Sequence, residues 1–330
     1  MTIQQGAVAG ALLPRILQDA PGDVIRWVGT AAVERHLVTW LSAELGVVGS
    51  LERAGRLRGI CPVPGATDED YLARVIDLPG GSRAVLHVRF KGGDAASPFV
   101  QWVAGEAPIQ NSTELMTLAT LARESFAVLR PPCMRIWIPS GSPWEPAGNS
   151  PECERGNRWL AAPLLAMVGR RPEWPVPGLR VVETSADDIF PSYDAEYRAY
   201  LGSHPQAMDW IRAENLETLR DCRRQGGLFA MLEGNAVRGL VALRRESSPW
   251  FPGWHVAESL VFDGFRGKGL AVPMHQAAYA QLVSEPDEFV WGTIDPRNAA
   301  SIATAAALGR VDIGGDWWIG PRRRESLGAL

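Results

Sequence analysis

The stretch Arg266-Gly267-Lys268-Gly269-Leu270-Ala271 decides the reading of this 330-residue chain. It lies between a strand-like run, residues 254–262, and a helix-like run, residues 270–283. A strand, a short glycine turn and a helix start together make an anion cradle. The first N–H groups of a helix have no intrahelical acceptor and sit at the positive end of its dipole. Glycine lets that backbone approach a phosphate without a Cβ in the way. Arg266 and Lys268 add positive charge, and the chain has only one other lysine, Lys91. Taken alone the six residues are a weak pattern, because a glycine-capped surface turn reads the same way.

The neighbourhood supplies the context. Residues 253–262 are mostly apolar, as a central strand requires, and residues 289–294 are a second short apolar run. Asp295-Pro296-Arg297-Asn298 is a turn and cap, and residues 299–308 are an alanine-rich helix that Gly309 stops. Upstream, 178–183 reads as a strand and 185–201 and 208–224 as helices. Residues 227–233 and 236–244 read as strands joined by the Gly234-Asn235 turn. Gly314-Gly315-Asp316-Trp317-Trp318-Ile319 reads as the last strand.

Leu260-Val261, the 266–271 loop and the helix start Asn298-x-x-Ser301 stand in an order and spacing that resembles the GNAT superfamily of acyl-CoA-dependent N-acyltransferases. The resemblance covers about residues 178–320. It implies an α/β (α+β) fold, a mixed central sheet flanked by helices, in the order β-α-α-β-β-β-loop-α-β-α-β. It implies acetyl-CoA as co-substrate and direct transfer of the acetyl group to a primary amine of a small molecule or peptide. It further implies that Arg266, Gly267, Lys268, Gly269, Leu270 and Ala271 hold the CoA pyrophosphate, and that the Val261 backbone pairs with the pantetheine arm. Asn298 would contact that arm while also capping its helix, and Ser301 either lines the same channel or is a plain helix residue.

Direct acyl transfer needs the amine to lose a proton. On a regular strand His255, Ala257, Ser259 and Val261 share one face, while Trp254, Val256, Glu258, Leu260 and Phe262 share the other. Parity with Val261 favours His255 as the base, and a bulge in the strand would shift the choice to Glu258. The acid that protonates the departing thiolate is often a tyrosine in this family, and the matching position here is Ala305. Either Tyr279 or water takes that role, or the domain is a non-catalytic acyl-CoA-binding module. A nucleotide-phosphate binder built on the same loop is the third reading. The tryptophans Trp250, Trp254, Trp291, Trp317 and Trp318 read as core more readily than as an acceptor pocket.

Composition narrows the field. A net charge of −4 implies no general polyanion surface, so no nucleic acid is expected, and Arg322-Arg323-Arg324 reads as a solvated end. Cys61, Cys133, Cys153 and Cys222 have no metal-ligand spacing, so no metal is expected, and they read as reduced thiols in a cytoplasm. No apolar run is long enough to span a bilayer. A homodimer stays open.

The length suits two domains. We expect an N-terminal α/β domain over 1–170, a Pro-rich linker over 171–177, and the GNAT-like domain over 178–330. In the first half, 23–46 reads as a helix, 84–90 and 99–103 as strands, 111–128 as a helix opened by a capping box, 134–138 as a strand and 157–168 as a closing helix. That layout repeats residues 236–308, so the first half reads as a degenerate copy of the second, giving two tandem GNAT-like domains. Its strand-to-helix connection, 105–110, lacks the closely spaced glycines.

Overall fold

The computed structural model describes residues 3–320, apart from 147 and 170. The arginines of 322–324 lie outside the described residues. The chain forms two compact units. The first comprises Met1–Arg158 and Ile313–Leu330, the second Trp159–Asp312. The divisions fall at 158/159 and 312/313 and not in the Pro-rich 171–177, because the chain changes unit in the middle of two strands.

The first unit opens with helices α1 (Ile3–Gln18), α2 (Gly22–Val28), α3 (Thr30–Gly46) and α4 (Leu51–Ile60). The expected helix over 23–46 is broken at Gly29, whose φ of 81° no helix contains. Strands β1 (Arg74–Asp77), β2 (Arg83–Phe90) and β3 (Pro98–Gly105) follow, then α5 (Ser112–Glu124), β4 (Met134–Pro139) and β5 (Cys153–Pro163). Asn111 caps α5 by accepting from the Glu114 N–H at 2.9 Å, and the Glu114 carboxylate accepts from Gln110 N at 2.8 Å. β1, β2 and β3 are antiparallel, β3 and β4 parallel. The returning segment Ile313–Ile319 adds antiparallel to β4, with Ile319 opposite Met134 and Gly314 opposite Pro139. Leu86, Val100, Leu115, Phe126, Ile136, Ile138 and Trp317 form the core under α5.

The closing helix expected over 157–168 is corrected. Residues up to Pro163 are strand β5, and only α6 (Leu165–Val168) is helical. Helix-forming Leu160, Ala161 and Ala162 are recruited into a strand in which all three are buried, so pairing overrides propensity.

The second unit continues with β6 (Leu179–Glu183), α7 (Ala186–Ser203), α8 (Leu216–Arg224), β7 (Leu228–Glu233), β8 (Ala236–Arg245) and β9 (Gly253–Val261). Then come α9 (Ala271–Tyr279), β10 (Phe289–Ile294), α10 (Ala299–Ala307) and β11 (Val311–Ile319), whose greater part is the returning segment. The expected helix over 208–224 is confined to α8, because Asn215 accepts from Thr218 N at 2.8 Å and starts the helix there. The sheet order is β5-β10-β9-β8-β7-β6, antiparallel from β6 through β9 and parallel between β9 and β10. One core lies under α9, with Trp254, Met274, Tyr279 and Val290; the other lies under α7 and α8, with Ile189, Leu219, Leu228 and Leu240.

The fold class is therefore a mixed α/β sheet flanked by helices, and the two units repeat one plan. The order α3-α4-β1-β2-β3-α5-β4 parallels α7-α8-β7-β8-β9-α9-β10, with the same strand senses. No described helix is long and apolar enough to cross a membrane.

β9 starts at a tight point. Gly253 has φ 157°, and a Cβ there would run into the Phe289 carbonyl of β10. Gly253→Ala is expected to destabilise the protein by roughly 2–4 kcal/mol, read as a lowered denaturant midpoint. An unchanged midpoint would show that β9 and β10 are free to separate at this end.

Candidate functional site

β9 organises the site. Its ladder with β8 pairs Ala242 with Glu258 and then Leu243 with Val256, so Ala257 is an extra residue on β9. A bulge of this kind puts two successive side chains on one side. Trp254 and Val256 pack under α9, and so does Val261 beyond the bulge. Ala257 and Leu260 pack under α7 and α8. Ser259 reaches His275 of α9, and Glu258 reaches Tyr193 of α7. The parity that favoured His255 is thereby corrected: His255 lies on the face opposite Val261, and Glu258 lies on the α7 side.

On its other edge β9 is paired with β10 only at Phe289, Val290 and Trp291, opposite Gly253, Trp254 and His255. Past His255 the strands part. Phe262 N donates to Arg238 O at 2.9 Å, which sets the alternation of the antiparallel ladder. The N–H and C=O groups of Ser259 and Val261 therefore point away from β8, into the opening.

Glu258 is held at both oxygens. The Tyr193 hydroxyl donates to its Oε2 at 2.6 Å, and the Ser259 N–H donates to its Oε1 at 2.8 Å. The Tyr193 oxygen in turn accepts from Glu214 N at 2.7 Å. Burial pushes the Glu258 carboxyl up to about 7, against these two hydrogen bonds, which favour the anion. His255 is a different case. Its side chain is 13% exposed, its ring lies 4.5 Å from that of Trp291, and its Nδ1 is 3.7 Å from Glu246 Oε2. Burial drives its pKa down to about 4, with Arg244 and Arg310 acting in the same direction and Glu246 opposing them. His275 sits deeper, with Nε2 2.8 Å from Ser259 Oγ, and is held at about 3 by burial and by Arg310.

The 266–271 turn is exposed at Gly267, Lys268 and Gly269. Gly267 and Gly269 take φ values of 72° and 71°, and the space where each would carry a Cβ is open. α9 starts at Ala271 without a side-chain cap, and Pro273 sits in its first turn, where a missing N–H costs no helical bond. The contrast with α5 is chemical: there Asn111 and Glu114 already fill the helix start, and Glu106 in the preceding connection pairs with Arg83 at 2.5 Å. Leu270 is buried under α9 and anchors the turn.

Arg266 is turned inward. It donates from Nε to the Val261 carbonyl at 2.7 Å and from Nη2 to Glu196 Oε1 at 2.7 Å, and it lies 4.7 Å above the Tyr200 ring. Glu196 Oε1 also accepts from Asp263 N at 2.6 Å. Arg266 thus braces the loop. Lys268 lies over Phe265 at 4.9 Å. Asn298 caps α10 by accepting from Ser301 N at 3.1 Å, and Ser301 is half-buried in the first turn of that helix. Ala305 is wholly buried.

Tyr193, Glu196, Tyr197 and Tyr200 escaped the sequence reading. Their spacing of three, four and seven residues puts them on one face of α7, and that periodicity was the available signal. Arg310, 5% exposed, was missed as well; its Nη1 lies 3.2 Å from where Gly292 of β10 would carry a Cβ.

No family model matches the sequence, and a search of curated proteins finds no match. Among solved structures the chain is similar to a GCN5-related N-acetyltransferase from Sphaerobacter thermophilus, at 16% identity and TM-score 0.47, over 84% of this chain and 95% of that one. It is similar to a GCN5-related N-acetyltransferase from Kribbella flavida, at 12% identity and TM-score 0.45, over 84% and 98%. It is also similar to a tandem GNAT protein from the clavulanic acid biosynthesis pathway, at 14% identity and TM-score 0.42, over 84% and 97%. These are likenesses of architecture, and no residue's role passes through them.

Tyr193→Phe removes a hydrogen bond that favours the Glu258 anion. The Glu258 titration is expected to move above its present value of about 7, read from the side-chain carboxyl resonance. Because that pKa is raised by folding, the group favours the native state below its unfolded pKa and loses this stability as pH rises through about 7. Glu258→Gln should abolish that decline, on the order of 3 kcal/mol between acid and alkaline limits. A Tyr193→Phe titration that moves down would place Glu258 outside this network.

Proposed function

We propose that the second unit is an acetyl-CoA-dependent N-acetyltransferase acting on a primary amine of a small molecule or peptide. One observation carries this reading: a single strand, β9, presents a carboxyl group near neutrality, two residues whose backbone groups face an unpaired edge, and an open glycine turn at a helix start. The acetyl thioester supplies the acyl group, carried on a long polar arm that ends in phosphates. The N–H groups of Gly267 to Val272 hold the pyrophosphate. The Val261 carbonyl keeps one lone pair beside Arg266 and takes an amide N–H of the arm.

Glu258 removes the proton from the acceptor ammonium, directly or through one water. The neutral amine then forms the C–N bond as the C–S bond breaks, the second nitrogen proton passes to solvent, and Glu258 gives up its own proton to solvent before the next turnover. Tyr193 is a positioning residue that fixes the carboxylate, and Glu196 fixes the loop through Arg266. Ala305 gives no proton, so the departing thiolate takes one from solvent, which a thiolate leaving group tolerates.

Thiol release from acetyl-CoA across a panel of amines tests the reaction. kcat/KM should rise with pH through about 7 as Glu258 ionises. Glu258→Gln should lower kcat by about 10²–10⁴-fold and erase that limb, with acetyl-CoA affinity unchanged. Gly269→Asp, which puts a Cβ and a negative charge into the turn, should abolish acetyl-CoA binding. Binding without thiol release from any amine would make the unit an acyl-CoA-binding module. A preference for ATP over acetyl-CoA would make it a nucleotide-phosphate binder.

A further inference from the structure

The second unit buries a cation that the mechanism above does not use. α10 ends in a Schellman turn: Gly309, at φ 91°, donates to Ala306 O at 2.8 Å, and Arg310 N donates to Ala305 O at 2.9 Å. The residue in the place of Arg310 is customarily apolar and packs back on its own helix. Here it is an arginine, 5% exposed. Its Nε has no hydrogen-bond partner, and no carboxylate lies within ion-pair distance of its guanidinium among the described residues. A buried charge without a counter-ion weighs heavily against folding.

The guanidinium is aimed at the fork between β9 and β10. Its Nη1 lies 3.2 Å from where Gly292 would carry a Cβ, and Val256 Cβ lies 3.6 Å from the same point. Gly292 and Val256 directly follow Trp291 and His255, the last rung the two strands share. Arg310 therefore stands at the closed end of the opening. Gly292 has no positive φ, so its backbone does not call for glycine; the missing side chain is what admits the guanidinium. Two further buried groups on α9 are unpartnered, His275 Nδ1 and the Tyr279 hydroxyl, with ring centroids 5.4 Å apart. Burial and the Arg310 charge hold His275 at about 3, and burial pushes the Tyr279 hydroxyl up against the pull of Arg310. Both are neutral at pH 7, so neither is the counter-ion. Glu258 lies on the α7 side of the same strand.

These positions choose the acyl group. On the acyltransferase reading, on which this inference rests, the arm runs from the glycine turn past Val261 to a thioester beside Glu258. Whatever lies beyond the thioester carbonyl then extends toward the closed end of the fork. A methyl group or a hydrocarbon chain offers a guanidinium nothing there, whereas a carboxylate offers a charge and a pair of acceptor oxygens. We propose that the acyl group taken by this site ends in a carboxylate, as in malonyl or succinyl thioesters, and that Arg310 binds that carboxylate. The C–N bond forms and the C–S bond breaks as for acetyl transfer, and the carboxylate is left untouched. The positive amine thus becomes a negatively charged amide.

Calorimetry on the full chain tests it with free CoA and two pairs of thioesters equal in carbon number, succinyl-CoA against butyryl-CoA and malonyl-CoA against propionyl-CoA. In at least one pair the carboxylate form should bind tenfold or more tightly than its neutral partner, the worth of a charge-assisted hydrogen bond (about 1.5 kcal/mol or more). Arg310→Gln should bring that ratio to near one. Gly292→Ala, whose Cβ pushes on Nη1, should lower it while keeping the arginine, and carries the test if Arg310→Gln fails to fold. A ratio near one in the unaltered protein, or a ratio that survives both substitutions, overturns the proposal and leaves the acyltransferase reading standing. Failure of free CoA and of every thioester to bind overturns both.

Discussion

One inserted residue governs the second unit. Ala257 has no partner on β8, and the slip it imposes turns Glu258 to the α7 side while Ser259 and Val261 keep the α9 side. Had β9 been regular, Glu258 would have pointed into the apolar layer beside Leu270 and Met274, where a carboxyl has no donors. The bulge therefore makes an internal carboxyl affordable. It also sits just past the last rung shared with β10, where the strands part. Past the bulge β9 rejoins β8 from Glu258 to Val261, while β10 has left its other edge, so that edge alone is open.

α7 ties this strand to the loop that follows it. Tyr193 holds Glu258 at one level, and Glu196, one turn further along, and Tyr200, two turns along, hold Arg266. The carboxyl and the glycine turn are thus indexed to one rigid rod. Their separation is set by helical rise and does not depend on how the exposed turn moves. The inward use of Arg266 follows from the same arrangement: a guanidinium between a carbonyl, a carboxylate and an aromatic face is a brace.

Much of this was legible in the sequence, for reasons that differ from element to element. The strand–glycine turn–helix of 254–279, the Gly234-Asn235 hairpin and the Asn111 and Asn298 caps are local features, and the structure contains each of them. Residues 157–163 misled because leucine and alanine favour a helix, whereas their state is decided by strands far away in sequence. The slip at Ala257 is invisible for a related reason. Nothing in Val256-Ala257-Glu258 announces it, since a bulge belongs to the pair of strands and not to either one. The domain limits failed at the proline cluster because composition marks flexible segments, and here the chain changes unit inside regular strands.

That last feature bears on biogenesis. β4 takes Ile313–Ile319 as its neighbour, so the first unit stays open through the synthesis of the whole second unit. For more than 150 intervening residues a nascent chain carries the unpaired edge of β4, rich in Met134, Ile136 and Ile138, next to an incomplete core. On the ribosome the second unit, contiguous in sequence, has every chance to fold first, and the first must wait for a strand made after it. The part of the protein translated earliest is then the part finished last, and its exposed edge is the natural place for a chaperone to bind or for two unfinished chains to exchange strands.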